Sequence, residues 1–260
     1  MTRRRDTGRQ VAAAAVAIGV VLLLWEVLGR ADALGHDVLP PFHVTAQVLF
    51  EAARTTIFWH AVVDTLVQWG VGLAGAIAIA IPLGLLIGSG RLRQRFTRST
   101  IDFLRTIPPV MLLPLFVLVW GTGLRMVVLL SIYAAVWPML TQTISGVGQI
   151  EQQTLDTVTI FRINPWRRFW RVLLPAVSPF IVSGVRVSAV ISLFIAVVCE
   201  LVAGSPGLGQ LLAQSQVSGN TALMVALICV TGILGMVINA LFRSGERRLL
   251  AWHPSYAEGH

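Results

Sequence analysis

Apolar runs of about 20 residues recur along this 260-residue chain, each long enough to cross roughly 30 Å of hydrocarbon as a helix. Nothing else constrains its fold as strongly, because a chain inside lipid must satisfy its backbone polar groups internally. The fold class it points to is an all-α membrane protein with six transmembrane helices, at residues 11–28, 67–89, 106–120, 126–147, 181–202 and 222–241. Apolar residues make up 55% of the sequence and charged ones only 12%, too little charge for a water-soluble surface. The third span is short and contains Pro108, Pro109 and Pro114, so its freed backbone groups must be received by neighbouring helices or a cavity.

All twenty basic residues are arginine, and their distribution orients the spans. With the N-terminus inside, the cytoplasmic side collects Arg3, Arg4, Arg5 and Arg9, then Arg91 to Arg105, then Arg162 to Arg171, and finally Arg243, Arg247 and Arg248. Only Arg30, Arg54 and Arg125 fall outside, and Arg186 lies within a span. The asymmetry predicts both termini in the cytoplasm of a multi-pass plasma or inner-membrane protein. The chain then divides into a cytoplasmic N-terminus at 1–10, a transmembrane domain at 11–245 and a cytoplasmic tail at 246–260. A cytoplasmic loop at 148–175 joins spans four and five. Positive charge split among loops beside a lipid bilayer is a topology signal and argues against nucleic acid as a partner. The first hydrophobic run carries Glu26 and lacks a small-x-small cleavage site before Arg30, so it is read as a retained helix. Cys199 and Cys229 lie in apolar spans and are read as small buried side chains rather than a disulfide.

The polar loop at 150–175 is patterned. Leu155, Val158 and Phe161, then Trp166, Phe169, Trp170 and Leu173, recur at helical steps on either side of Asn164-Pro165. This predicts two short amphipathic helices forming an elbow, a shape that can serve as a docking surface. On the outer side, Leu39-Pro40-Pro41 leads into residues with helical spacing, read as an interfacial helix. The glycine-rich Gly204-Ser205-Pro206-Gly207-Leu208-Gly209-Gln210 has no strand before it and is read as a tight re-entry turn rather than a phosphate cradle.

The chemistry that is missing narrows the function. A chain without lysine has no P-loop lysine, and its five histidines lack the paired spacing of a metal site. No Ser/His/Asp arrangement stands out either. Any energised work must therefore draw on nucleotide hydrolysis by another subunit. Among ionisable groups near the spans, Glu26 and Asp64 can reach the outer interface. Arg186 and Glu200 share the fifth span fourteen residues apart, about 21 Å along a helix, too far to pair within it. Two readings stand for Arg186: facing a translocation path or dimer interface, or snorkelling inward or pairing with another helix. Pro108, Pro109, Arg186 and Glu200 are the candidates for the translocation path. Gly72, Gly75 and Ala76 give the second span a small face, for packing within the chain or between subunits.

The segment from Asp156 to Pro175 resembles the cytoplasmic loop of binding-protein-dependent ABC importer permeases, whose motif is Glu-Ala-Ala, three residues, Gly, nine residues, Ile-x-Leu-Pro. Here Asp156 stands at the glutamate, Thr157 and Val158 at the alanines, Arg162 at the glycine and Val172 at the isoleucine, while Leu174-Pro175 are identical. Leu104-Arg105-Thr106-Ile107-Pro108-Pro109, Trp120-Gly121-Thr122-Gly123, and Glu200 through Gly209 resemble the branch that imports nitrate, taurine, alkanesulfonates and thiamine-precursor pyrimidines. The resemblance implies a permease dimer, expected to be a homodimer, resting on ABC ATPase subunits, with an extracytoplasmic solute-binding protein delivering a small anion or zwitterion. ATP and Mg would be bound by the ATPase partner, leaving no cofactor and no catalysis in this chain. It further implies that Asp156, Thr157, Val158, Phe161, Arg162, Asn164, Pro165, Trp166, Phe169, Leu174 and Pro175 couple to that ATPase. Arg162 departs from the motif glycine, and Asn164-Pro165 is expected to relocate the sharp turn by two residues.

The alternative from another class is an ion-coupled secondary transporter acting without an ATPase. It leaves the amphipathic elbow without a purpose, and no relay of alternating acids is visible to carry protons. A membrane-embedded enzyme would need a polar catalytic cluster that is absent from the sequence, and a structural scaffold gives no reason for the ordered family landmarks.

Overall fold

The computed structural model describes residues 3–31 and 39–249, and among them the secondary structure is helical, with no strand. In chain order the elements are α1 (Arg3–Arg30), α2 (Phe42–Ala52), α3 (Thr56–Gly88), α4 (Arg91–Thr106), a 3₁₀ turn (Pro109–Leu112), α5 (Leu113–Trp120), α6 (Leu124–Gly148), α7 (Gln152–Ile160), α8 (Pro165–Arg168), a π turn (Phe169–Leu173), α9 (Leu174–Ala203), α10 (Leu208–Val217) and α11 (Thr221–Leu249). Of the expected C-terminal tail, residues 250–260 lie outside the described residues, as do the side chains of residues 3–10 in the expected N-terminal segment.

Among the described residues, four helical stretches are long and apolar enough to cross a membrane: α3, α6, the run containing α9, and α11 as far as Glu246. A fifth is possible in α4 with Pro109–Trp120, which meet at a bend of 76°. The third expected span, 106–120, is therefore not one continuous helix. Pro108 pushes Ile107 out of helical space, to φ −70° and ψ 115°, and Pro108 itself is extended at φ −62° and ψ 124°. The arginine-rich residues before the break, expected as loop, form α4. α3 starts eleven residues before the expected 67, and α9 starts at Leu174 with Pro175 in its first turn, where a missing N–H costs nothing.

The chain separates into two compact units. The first comprises residues 1–60 with 211–231. Within it the C-terminal end of α1 is fastened to the start of α2. Trp25 Nε1 donates to the Pro40 carbonyl at 3.0 Å, and the Trp25 and Phe42 rings meet edge-on at 5.4 Å. Glu26 accepts from Arg30 Nε at 2.6 Å and from the His43 amide at 3.1 Å, with His43 Nδ1 2.7 Å away. A Cβ on Gly29 would stand 2.7 Å from the Pro41 Cα, so only glycine allows this approach.

The second unit, residues 61–210 with 232–260, holds the main core. Leu73, Ala76 and Ala80 of α3 pack with Ala135, Met139 and Leu140 of α6, Ala189 and Leu193 of α9, and Ile238 of α11. The small face of α3 serves packing within the chain: a Cβ on Gly72 would sit 2.7 Å from Ser131 Cβ, and one on Gly84 2.6 Å from Thr143 Cβ. α6 and α9 are equally close. Ser188 Oγ donates to the Ala135 carbonyl at 2.7 Å, and Gly146 lies against Phe180. Large apolar side chains remain outward on α5, α9 and α11, among them Leu118, Val202 and Leu241, as a hydrocarbon solvent permits.

Candidate functional site

The elbow between α6 and α9 is built as two short helices with a defined reversal. α7 ends when the Phe161 amide donates to the Thr157 carbonyl at 3.0 Å and the Ile163 amide reaches back to Val158 at 3.1 Å. The Ile163 bond, which reaches one residue further back than a helical bond, is the 6→1 bond of a Schellman-type C-terminus, and it requires a left-handed residue just before Ile163. Arg162 supplies it at φ 47°, the one non-glycine with positive φ among the described residues. The sharp turn therefore stays at the glycine position of the motif, and the expected relocation to Asn164 does not occur. Proline disfavours helical dihedrals in its predecessor, so Asn164 is extended at φ −50° and ψ 134°. Its Oδ1 instead caps α8 by accepting from the Trp166 amide at 3.0 Å, with Pro165 in the first turn.

The same backbone sorts the apolar side chains into two sets. Val158 is buried, and Phe169 and Leu173 pack against Leu85, Val147 and Val177 at the ends of α3, α6 and α9. Ile160, Phe161 and Trp166 face outward, at 77%, 74% and 68% exposure, and Trp170 is half exposed. Trp166 and Trp170 touch edge-on at 5.7 Å. The coupling residues implied by the resemblance included Val158 and Phe169, which pack inward, and omitted Ile160, Ile163 and Trp170, although Trp170 stands in the helical-step pattern itself. Thr157 is exposed with its hydroxyl bonded to the Gln153 carbonyl, and Leu174 and Pro175 are half-buried where the elbow enters α9. The side chain of Asp156 lies outside the described residues.

The family model for the binding-protein-dependent transport system inner membrane component matches residues 80–251, from α3 through α11. The chain belongs to that family. This permease is 25% identical to the putative aliphatic sulfonates transport permease protein SsuC of Bacillus subtilis (strain 168), over 91% of this chain and 86% of the relative. It is 25% identical to the taurine transport system permease protein TauC of Escherichia coli (strain K12), over 96% and 93%. To the nitrate import permease protein NrtB of Synechocystis the identity is also 25%, over 86% and 84%. These relatives put the permease in the nitrate, taurine and sulfonate branch. Its fold matches that of the inward-facing MetNI methionine ABC transporter at a TM-score of 0.66, with 19% identity, over 74% of this chain and 95% of that one.

The membrane-depth candidates of the permease fall in separate places. Glu200 is fully buried and accepts from Thr65 Oγ1 at 2.9 Å and from the Gly209 amide at 3.0 Å. Thr65 Oγ1 in turn accepts from the Leu208 amide at 2.9 Å, and Gln68 Nε2 donates to the Pro206 carbonyl at 2.6 Å. Glu200 thus holds the 204–209 turn down onto α3. Gly207, at φ 149°, passes so close to the carboxylate that a Cβ there would overlap it. Arg186 Nη1 meets Glu246 of α11 at 2.8 Å, an ion pair between helices with Glu246 nearly buried. Pro108 is exposed and Pro109 half-buried at the α4 to α5 bend. Among the described residues no three His, Cys, Asp or Glu side chains gather as a metal site would require.

Proposed function

We propose that this permease is the membrane subunit of an ATP-driven importer for a small sulfonate, taurine-like zwitterion or nitrate. Six spans would carry both termini on the cytoplasmic side, with the 148–175 loop there. Two copies would form the translocation path, an extracytoplasmic binding protein would deliver the solute, and an ABC ATPase would hold ATP and Mg. The relatives' names support the substrate class, in which anionic sulfonates and nitrate recur.

The observation that carries the reading is the outward set of Ile160, Phe161, Trp166 and Trp170 on the elbow, whose inward set is already used in packing. Exposed aromatics beside arginines are what a protein partner buries at the centre of an interface. The elbow joins α6 to α9, and those helices interlock through Ser188, Ala135, Gly146 and Phe180. A close-packed pair of this kind moves as a body, so displacement of the elbow by closing ATPase subunits would tilt α6 and α9 together. The ion-coupled carrier has no comparable use for the elbow.

The test is purification of the permease from its native membrane in mild detergent, with a Phe161→Glu, Trp166→Glu variant beside it. A nucleotide-binding subunit should accompany the parent and be lost from the variant. ATPase activity of the parent complex should rise with taurine, an alkanesulfonate or nitrate in the presence of the binding protein. Uptake into liposomes by the chain alone under an ion gradient would transfer the assignment to the secondary carrier.

A further inference from the structure

α4 carries Arg91, Arg95, Arg98 and Arg105 at steps of four, three and seven residues, which aligns them on one face of the helix. Leu92, Phe96 and Phe103 are exposed elsewhere on it. The helix is held by Ile101, which packs against the core, and by Tyr133 of α6, whose hydroxyl donates to the Leu104 carbonyl at 2.9 Å. Held this way, the arginine face borders a cavity of about 520 Å³ that it shares with the last turns of α3 and α6, where Thr141 and Ser145 stand. The cavity lies at the end of the bundle from which the elbow departs.

Four guanidinium groups line this space against a single carboxylate among the lining residues, Asp102. Asp102 is engaged by Arg105 at 3.1 Å and, more loosely, by Arg98 at 3.8 Å. Arg91 and Arg95 meet no carboxylate among the described residues. Guanidinium groups present planar, paired donors that match the oxygens of sulfonate, nitrate or phosphate, and the Ser145 hydroxyl adds a further donor. A concave space with low-dielectric walls and one sign of charge concentrates counter-ions. Its volume is that of a small-molecule pocket. None of these residues takes part in the elbow, the Glu200 turn or the Arg186 ion pair.

We propose that this arginine-lined cavity binds a small oxyanion at the elbow end of the bundle. Identifying the oxyanion with cargo leaving the permease rests on the importer reading, whereas the site itself does not. The phosphate of an anionic lipid headgroup has the same chemistry and is the other source.

The test uses the full chain in phosphatidylcholine nanodiscs with Ser145→Cys, the parent chain correcting for Cys199 and Cys229. Two methanethiosulfonate reagents of similar size are compared, one carrying an ethylsulfonate and the other a trimethylammonium group. The sulfonate reagent should react about tenfold faster, the ratio should fall toward parity in Arg91→Gln, Arg95→Gln, and sulfate or taurine should slow the sulfonate reagent. Thr141→Cys gives a second reporter should Ser145→Cys not fold. A ratio at parity in both reporters, or one that the arginine changes leave alone, overturns the proposal. Adding phosphatidylglycerol divides the sources: loss of labelling by the sulfonate reagent assigns the site to a headgroup, and unchanged labelling assigns it to a soluble anion. Labelling requires neither ATPase nor transport. Parity alongside sulfonate-stimulated ATPase activity would sink this inference alone, and charge-selective labelling without an ATPase partner would sink the importer reading alone.

Discussion

Arg162 carries a cost that the rest of the elbow must offset. A left-handed residue with a Cβ is disfavoured by about 1–2 kcal/mol, and the Schellman bond from the Ile163 amide to the Val158 carbonyl holds Arg162 at φ 47° nonetheless. Arg162→Gly removes that strain while adding freedom to the unfolded chain, so its net effect should lie between neutral and about 1 kcal/mol stabilising. Arg162→Val puts a β-branched side chain at the same dihedrals and should cost on the order of 2 kcal/mol. Thermal unfolding in detergent, followed by tryptophan fluorescence, orders the three chains as glycine at or above arginine, with valine lowest. Equal midpoints for the valine and glycine forms would contradict the assigned turn. This part of the elbow was half legible in the sequence. The motif spacing located Arg162 at the glycine position, but the sequence alone could not weigh the left-handed tolerance of Asn164 against the proline that follows it. Proline wins, because it dictates its neighbour's dihedrals directly.

At the scale of elements, two buried carboxylates fasten helices whose core is otherwise largely apolar. Glu200 ties α9 and the 204–209 turn to Thr65 of α3 through buried hydrogen bonds. Glu200→Ala leaves the Gly209 amide without its partner and should cost about 3 kcal/mol, since buried donors lose the full desolvation penalty. Glu200→Gln, which retains an acceptor oxygen, should cost much less. Hydrogen exchange at the Leu208 and Gly209 amides should rise steeply in the alanine form and little in the glutamine form; similar exchange in both would remove Glu200 from this role. Gly207→Ala should free the same turn, because its Cβ meets the carboxylate at a φ that L residues rarely adopt. The second contact, Arg186 with Glu246, joins α9 to α11. A double-mutant cycle of Arg186→Met and Glu246→Gln should give a coupling of about 1–3 kcal/mol, and additivity within about 0.5 kcal/mol would mean the pair contributes nothing to packing. Hydrophobic run length made α6, α9 and α11 legible in the sequence. Partners such as Thr65 for Glu200 and Glu246 for Arg186 were not, because they are set by which helix faces meet across long sequence separations. The α4 to α5 bend was flagged by its three prolines, but a run of apolar residues around Pro108 still read as one span, since hydropathy is blind to the direction of the chain.

For the whole molecule, the arginine asymmetry makes the strictest claim, because one orientation must satisfy every loop at once. α4, the elbow and both termini carry sixteen arginines between them, while the turns at 121–123 and 204–207 and the 218–220 turn before α11 carry none. If the excess lies in the cytoplasm, α3 descends to Gly88, α4 and α5 return outward to Trp120, α6 descends again to the elbow, and α9 rises to Gly204. Single cysteines at Gly90, Ile163 and Thr122, with a fourth at Gly219, sample both sides of this path. In intact spheroplasts, a membrane-impermeant maleimide should label the Thr122 and Gly219 positions and spare the Gly90 and Ile163 positions until the membrane is opened. The α4 bend makes the result decisive for the third span. Were α4 and α5 a re-entrant loop that returned to its starting side, Thr122 would label with Gly90 and the two ends of α6 would change places. An alternating pattern therefore requires the broken α4 to α5 pair to cross the bilayer, and with it the arginine-lined cavity and the elbow stand on the cytoplasmic face, where the proposed ATPase would act.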